Sequence, residues 1–377
     1  MAPIRVGLIG LSGAPPDKYE GTSWTAIAHL PYLKASPHYE IVALLNTSIE
    51  TGKEAVRRNE LPAETKTYYK PEDLAADEDV DLVVCSVRVD RHFSSVKASI
   101  IAGKAVFVEW PMDRNLEVAR EMEALATKHN VKTILGLQAS HSPIVRKLKE
   151  AIESGKIGKI HSSTLFTSLG FAAETVSKNV RYFVDRDIGG NLLSIQVGHS
   201  LESIHFALGD FKTFQSLLVN TYPVKDIVDP SKGNEVVVKD TPNNVPNEIL
   251  LQGILESSGA PFSLHYRGGK AFPGTPDIDW RIQGEDGELR LTSPIGLNVG
   301  SPATKLELYD VAKDTVEVLE AEKDEWDSLP VPAQNIARVY EAYRKGEWYP
   351  DFSWGVKRHE TLQKIWDQYD SYISEQN

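Results

Sequence analysis

Within its first 138 residues the chain repeats one pattern five times, a short apolar and β-branched run followed by a longer segment of helical character. The runs are IRVGLIGL (4–11), YEIVALLN (39–46), DVDLVVCSV (79–87), KAVFVEW (104–110) and KTILGLQ (132–138). Between them lie a stretch from about Trp24 to Ala35, IETGKEAVRRN, HFSSVKASIIAG and the strongly amphipathic LEVAREMEALATKHN. Near-continuous apolar runs that alternate with helices of about 10–15 residues must be buried on both faces, which requires a parallel sheet covered by helices. Residues 1–138 are therefore expected to form an α/β, doubly wound, dinucleotide-binding type of domain, the Rossmann arrangement.

The texture changes after SPIVRKLKEAIESGKIG (142–158), a helix closed by glycine. KIHSSTLFTSLG, FQSLLVNTYPV, NEILLQGILES, APFSLHYRG, DIDWRIQGEDGELRLTS and KLELYDV alternate polar and apolar residues with period two. EDGE supplies a turn between two of them. This predicts a second α/β domain, 139–377, built on an open, mostly antiparallel sheet with one face packed on helices and the other free. A helix is expected over 191–209, and helix returns from about Gln334 to Ile373, with this C-terminal portion a candidate to pack back on the first domain. The Asp/Asn/Pro-rich stretch 222–247 reads as a long surface loop.

A length of 377 residues suits two domains, and apolar and charged fractions of 41% and 25% are those of a soluble globular protein. The net charge of −12 argues against a nucleic-acid surface, since phosphate binding needs clustered Lys and Arg. No run of about 18 apolar residues offers a membrane span. The N-terminal MAPIRVGLIG enters a strand without a signal-peptide layout. The single cysteine, Cys85, sits in an apolar strand, so neither an internal disulfide nor a cysteine metal cage is expected, and the compartment is read as cytoplasmic. His199, Glu202 and His205 share helical spacing but lack an evident fourth ligand, so no metal is expected.

Gly7, Gly10 and Gly13 surround the end of the first strand, where a dinucleotide pyrophosphate would meet a helix N-terminus. The strict G-x-G-x-x-G spacing is absent, because Gly10, Leu11 and Ser12 are followed by an inserted APPDKYEGT before Ser23 and Trp24. At the end of the second strand an acidic residue would favour NAD through the ribose 2′-OH. The chain offers Asn46, Thr47 and Ser48 instead, with Lys53, Arg57 and Arg58 on the next helix, so NADP is preferred and NAD is also admitted. Thr47 and Ser48 can equally cap that helix. Arg88 and Asp90 are candidate cofactor contacts, and Gln138 ends the fifth strand beside the expected cleft.

The runs VGLIGL, VVCSVRVDRHFSSVKASIIAGKAVFVEWP, GKIGKI and IGGNLLSIQVGHSLESIHFALG resemble the glucose–fructose oxidoreductase, inositol dehydrogenase and MocA (Gfo/Idh/MocA) family, and the resemblance extends nearly end to end. It implies a Rossmann domain, a C-terminal α/β domain whose open sheet forms a homodimer or homotetramer interface, and oxidoreduction of sugars, polyols or related carbonyl compounds with NAD or NADP. NTSIET, VEW, LQASHSP and HYRGGK resemble the branch of the family that holds the fungal galactose-gene repressor, which binds a dinucleotide and acts by masking a protein partner. The family's Glu-Lys-Pro signature falls on Glu109, Trp110 and Pro111, so an indole replaces the catalytic lysine. The family's cleft histidine falls on His199, while its partner aspartate is Ile195. By the same resemblance His92 lies near the cofactor ribose.

Trp and Ile cannot move a proton. Two readings follow. One is an NADP-preferring oxidoreductase of a small sugar-like, carbonyl or imine substrate, with His199 and Tyr182 as candidate proton donors. In it Trp110, Arg181 and Gln138 line the substrate cleft, and Gly10, Leu11, Ser12, Trp24, Asn46, Thr47, Ser48, Arg88, His92, Glu109 and Trp110 face the cofactor. The other is a non-catalytic, dinucleotide-binding regulator with a protein partner. Neither involves direct contact with nucleic acid or a membrane.

Overall fold

In the computed structural model, residues 2–14, 23–296 and 299–376 are described. They divide into two compact units. The first comprises Met1–Gln138, Asp187–Gly190 and Glu325–His359, and the second Ala139–Arg186, Asn191–Asp324 and Glu360–Asn377. A single cut at residue 138 therefore does not describe the chain.

The first unit is organised by a parallel sheet of β1 (Ile4–Ile9), β2 (Tyr39–Leu45), β3 (Lys66–Tyr68), β4 (Leu82–Cys85), β5 (Ala105–Glu109) and β6 (Thr133–Gly136). Its order is β3-β2-β1-β4-β5-β6, the doubly wound dinucleotide-binding arrangement. β3, the sequence KTY, is too short to show any period, and it is the strand that the pattern of apolar runs does not reveal. Val6, Leu8, Val84, Phe107 and Ile134 are fully buried in one core, to which the helix Val331–Lys345 adds Ile336, Ala337, Val339 and Tyr340. Burial of that apolar stripe is why the late helix belongs to the first unit. The expected C-terminal helix is in fact two, Val331–Lys345 and Phe352–Gln376, separated where Gly346 takes φ +71° and Pro350 follows.

The second unit carries an eight-stranded sheet of β7 (Ile160–Leu169), β9 (Phe211–Val219), β12 (Glu248–Leu255), β13 (Pro261–Gly268), β14 (Ile278–Gly284), β15 (Gly287–Ser293), β16 (Lys305–Asp310) and β17 (Thr315–Val318). The order is β17-β16-β15-β14-β7-β13-β12-β9, antiparallel throughout except for β7 against β13. Residues 285 and 286 of EDGE join β14 to β15. Leu165, Leu264, Trp280 and Leu291 are buried on one face, whereas Phe166, Leu217 and Leu250 are 40%, 42% and 37% exposed on the other.

Residues 222–247 are not the expected loop. They form a hairpin of β10 (Val224–Asp229) and β11 (Glu235–Pro242), which joins β8 (Thr175–Ser177) in a separate sheet ordered β11-β10-β8. The period-two signal fails here because Asp226 and Asp229 interrupt one strand, while residues 235–240 of the other are exposed on both faces. No helix among the described residues is long and apolar enough to cross a membrane.

Candidate functional site

The strand order of the first sheet reverses between β1 and β4, so the crevice at their carboxyl ends is where a dinucleotide belongs. Gly10 closes β1 with φ +97°. A Cβ there would lie 2.5 Å from the Ser86 carbonyl oxygen, so only glycine lets the two strand ends approach. Leu11 is fully buried and presents its backbone, whose carbonyl accepts a 2.8 Å hydrogen bond from Asn46 Nδ2. The Ser12 carbonyl accepts from Asn59 Nδ2 at 3.2 Å, and the Ser12 hydroxyl accepts from the Ala14 amide. Gly13 packs so closely that an added Cβ would meet the Thr51 carbonyl at 3.0 Å. The loop after β1 is thus pinned onto the helix Ile49–Arg58. Most of the inserted APPDKYEGT segment, residues 15–22, lies outside the described residues.

At the end of β2, Ser48 forms a capping box with Thr51, the Ser48 hydroxyl accepting from the Thr51 amide at 3.2 Å and Thr51 Oγ1 accepting from the Ser48 amide at 3.1 Å. Thr47 Oγ1 lies 3.4 Å from Thr51 Oγ1. Arg57 makes a two-pronged bond to Glu54 (2.8 and 2.7 Å), and Arg58 Nε also donates to it. The Arg57 guanidinium, with that of Arg58, holds the Glu54 carboxyl down at about 2. Two of the three cations expected to favour a 2′-phosphate are therefore already paired, and Lys53 remains as an exposed cation on that helix.

Two candidates are turned into the fold. His92 is buried, with Nδ1 2.9 Å from the Pro111 carbonyl and Nε2 3.1 Å from the Val87 carbonyl, so it ties the ends of β4 and β5 together rather than facing a ribose. Glu109 is also buried, its Oε1 2.9 Å from His29 Nε2, and His29 Nδ1 lies 2.9 Å from the Tyr340 hydroxyl. An added Cβ at Gly136 would fall 2.5 Å from the Glu109 carboxyl, so that glycine makes room for it. Arg88 donates to Asp90 at 2.6 and 2.7 Å, so these two candidates form a pair.

Trp110, joined to Pro111 by a cis peptide, is 5% exposed. Its indole packs on the His359 imidazole with centroids 4.7 Å apart, and His359 Nε2 accepts the Met112 amide at 3.2 Å. Burial lowers the His359 pKa to about 3, which keeps this nitrogen an acceptor. Cys85 is fully buried, and desolvation raises its thiol to about 12.

Buried polar atoms at the carboxyl end of this sheet with no hydrogen-bond partner among the described residues include Ser23 Oγ, Trp24 Nε1, Asn46 Oδ1 and Gln138 Oε1. Unpaired buried polar groups are costly. A donor, an acceptor and the glycine cradle at Gly10 fit a ribosyl phosphate ligand with hydroxyls of its own.

In the second unit, Tyr182 is half-buried edge-on against Phe183 at 5.1 Å, and Arg181 is exposed. The expected helix 191–209 opens with wide turns over Leu192–Val197 and continues as Gly198–Leu208. Along it only Ile195, His199 and Phe206 escape full burial. Their spacing of four and seven puts them on one helical face. His205 Nδ1 faces the Gly209 carbonyl and Asp210, both at 3.2 Å. Among the described residues no group of three or more His, Cys, Asp or Glu could hold a metal.

His29, Asn59, Gly136, Tyr340 and His359 escaped the sequence reading. Their roles depend on neighbours distant in the chain, and none sits in a motif.

The unit described first is thus a Rossmann-type domain, and the chain is an α/β protein with a dinucleotide-binding crevice. Residues 4–137 match the oxidoreductase family with an NAD-binding Rossmann fold, and residues 143–293 match the Gal80p C-terminal domain. The chain is 33% identical over 321 residues to the dehydrogenase aclE of Aspergillus oryzae, covering 83% of each. It is 28% identical to the galactose/lactose metabolism regulatory protein GAL80 of Kluyveromyces lactis, over 78% of this chain and 65% of that one. A super-repressor mutant of Gal80p from Saccharomyces cerevisiae shares the fold, with a TM-score of 0.86 over 98% of this chain and 96% of that one at 23% identity. The chain belongs to the Gfo/Idh/MocA family of oxidoreductases, in the branch with a Gal80-type C-terminal domain.

Proposed function

We propose that the chain is an NAD(P)-dependent oxidoreductase of a small sugar-like, carbonyl or imine compound. The observation that carries this is the cofactor end of the first sheet, where Gly10 leaves no room for a side chain and Asn46 Oδ1 and Trp24 Nε1 lack partners among the described residues. The likeness to a dehydrogenase over 83% of both chains supports a catalytic role. The bound nicotinamide supplies hydride chemistry. In this proposal the chain's own residues do the rest: Gly10, Leu11 and Ser12 present backbone to the pyrophosphate, Asn46 and Thr47 hold the ribose, and Trp110 shapes and dries the nicotinamide end. His199 is the proton donor, with Tyr182 as the second candidate. NADP is preferred by a modest margin that rests on Thr47 and Lys53, since Glu54 engages Arg57 and Arg58. The free face of the eight-stranded sheet, with Phe166, Leu217 and Leu250 exposed, pairs two copies of the chain.

The test is turnover of NADPH with a panel of ketoses, imines and enones, comparing wild type with His199→Gln. A loss of kcat without loss of NADPH binding supports the assignment. Tight NADPH binding with no turnover of any compound would overturn it. That outcome leaves the second reading, a dinucleotide-gated regulator, which the burial of Trp110 and the presence of Ile195 favour because neither can transfer a proton. Its mark would be a protein partner whose binding changes with NADPH concentration.

A further inference from the structure

An ammonium group drawn out of water needs hydrogen-bond acceptors, and half-buried lysines elsewhere in this chain have them. Lys104 Nζ donates to the Asp77 and Val80 carbonyls at 2.6 and 2.7 Å, and Lys149 Nζ to the Phe206 carbonyl at 3.0 Å. Lys225 on β10 differs. It is half-buried, yet among the described residues neither a hydrogen bond nor an ion pair reaches its Nζ, which stands 5.8 Å from the centroid of the Tyr222 ring. The acids of its own strand are turned elsewhere: Asp226 Oδ1 accepts the Asp240 amide at 3.0 Å, and Asp229 Oδ2 accepts from Lys178 at 2.9 Å. Burial pulls the Lys225 amine down to about 8, against a weaker attraction from Glu174 that forms no ion pair. Val224 and Lys225 pair with Pro242 and Thr241 before the register of β10 against β11 breaks. Opposed residues of an antiparallel pair share a face, so Thr241 lies beside Lys225. Thr241 is 9% exposed, and its Oγ1 has no hydrogen-bond partner among the described residues. One face of the hairpin thus holds an amine without an acceptor next to a hydroxyl without a partner.

We propose that Lys225, with the Thr241 hydroxyl beside it, is an acceptor site for acyl groups from activated acyl donors, either thioesters or acyl phosphates. The neutral amine adds to the acyl carbonyl carbon and forms a C–N bond. The tetrahedral intermediate then expels thiolate or phosphate, breaking the C–S or C–O bond, and the proton lost from nitrogen passes to solvent. No electron changes hands. The product is an amide, which carries no charge for burial to penalise. Its carbonyl oxygen gives the Thr241 hydroxyl an acceptor, and an unpaired buried hydroxyl is costly. A bound anion, or a carbamate made from carbon dioxide, would instead set a negative charge near Glu174, so a neutral acyl group is what this face selects. At pH 7.5 roughly a quarter of the Lys225 amine is neutral, against about one in a thousand for an ordinary lysine.

The experiment incubates the full chain with acetyl phosphate, and in a separate arm with acetyl-CoA, and reads acetylation of each lysine by peptide mass spectrometry across pH. Lys239, exposed on β11, is the internal reference. At pH 7.5 Lys225 is expected to react about tenfold faster than Lys239, and its rate to level off above about pH 8, where that of an ordinary lysine still climbs. Reaction with only one of the two donors supports the proposal and identifies the source of the acyl group. Thr241→Val keeps the shape of the side chain and is expected to slow Lys225 about threefold or more while Lys239 is unchanged, with the melting curve showing that the variant folds. A wild-type rate in that variant would remove Thr241 from the site. A rate at Lys225 no higher than at Lys239 with either donor would overturn the proposal, as would one that climbs steadily to about pH 10. None of these readouts involves NADPH, so they stand apart from the oxidoreductase assignment.

Discussion

The indole of Trp110 lies on the imidazole of His359, 249 positions later in the chain, with ring centroids 4.7 Å apart and planes tilted by 48°. The same imidazole accepts the Met112 amide. The Trp110–Met112 segment is therefore held by His359, through ring contact at one end and a hydrogen bond at the other, and by His92, whose Nδ1 lies 2.9 Å from the Pro111 carbonyl between them. Trp110 is thus packed on a buried ring of its own unit.

Removing that aromatic should be expensive. Trp110→Ala is expected to destabilise the protein by about 3–5 kcal/mol, the usual cost of emptying a buried aromatic site. Trp110→Phe keeps a ring over His359 and should cost less. Urea denaturation of the two variants, read by midpoint at constant slope, checks the order. An alanine variant as stable as the phenylalanine one would show that the contact contributes little.

His359 should make the protein sensitive to acid. Its folded pKa, about 3, lies below the ordinary histidine value of about 6.5. Between those values the unfolded chain binds the proton and the folded chain does not, so stability falls as the pH drops below about 6.5. The slope from this one group is about 1.4 kcal/mol per pH unit, and it levels off near pH 3. His359→Gln removes the titrating group, and its stability profile between pH 4 and 6 should be flatter by that slope. Equal slopes in variant and wild type would contradict the assignment.

The doubly wound sheet was legible because five of its six strands are apolar and separated by helical segments, a pattern that physics allows in few other ways. The open antiparallel sheet was legible from period two. What escaped were elements whose burial is atypical. β11 is exposed on both faces, so it carries no alternation, and β3 is too short to carry any. The candidate site divides along the same line. Gly10 could be read locally, since a positive-φ glycine at a strand end is a backbone requirement. His92 and Glu109 looked like ligand contacts because of their types and places, yet their partners are the Pro111 and Val87 carbonyls and His29. Such pairings are fixed by tertiary packing and leave no mark in the neighbouring sequence.

Gly136 offers a direct test of the Glu109 network. The methyl group of Gly136→Ala would fall 2.5 Å from the Glu109 carboxyl and displace it from His29. Overpacking of this kind costs about 1–3 kcal/mol. Glu109→Gln relieves no crowding, so the double variant should stay near the alanine value. A Gly136→Ala chain as stable as wild type would mean that the carboxylate can relocate freely.

Gly10 is the corresponding test of the cofactor crevice. Gly10→Ala introduces a Cβ 2.5 Å from the Ser86 carbonyl at a φ that alanine avoids. Saturating NADPH at about 100 times its dissociation constant should stabilise the wild type by about 2.7 kcal/mol. The alanine variant is expected to lose most of that increment as well as some intrinsic stability. Retention of the full increment would place the dinucleotide elsewhere.

The choice between NADP and NAD can be assigned to single residues of the helix Ile49–Arg58. Lys53 stands at its middle, roughly 8 Å along the axis from Ser48, whereas Arg57 and Arg58 are on its last turn, roughly 13 Å or more from Ser48, and both are bonded to Glu54. Lys53→Ala should therefore weaken NADPH binding and leave NADH binding unchanged, bringing the ratio of the two dissociation constants close to one. Glu54→Gln releases the arginines, yet at that distance it should leave the ratio where it was. Fluorescence titration of both cofactors against the three proteins separates the cases. If Glu54→Gln raises the preference for NADPH and Lys53→Ala does not lower it, the arginines are the determinant, and the ribose then lies further along the helix than Ser48.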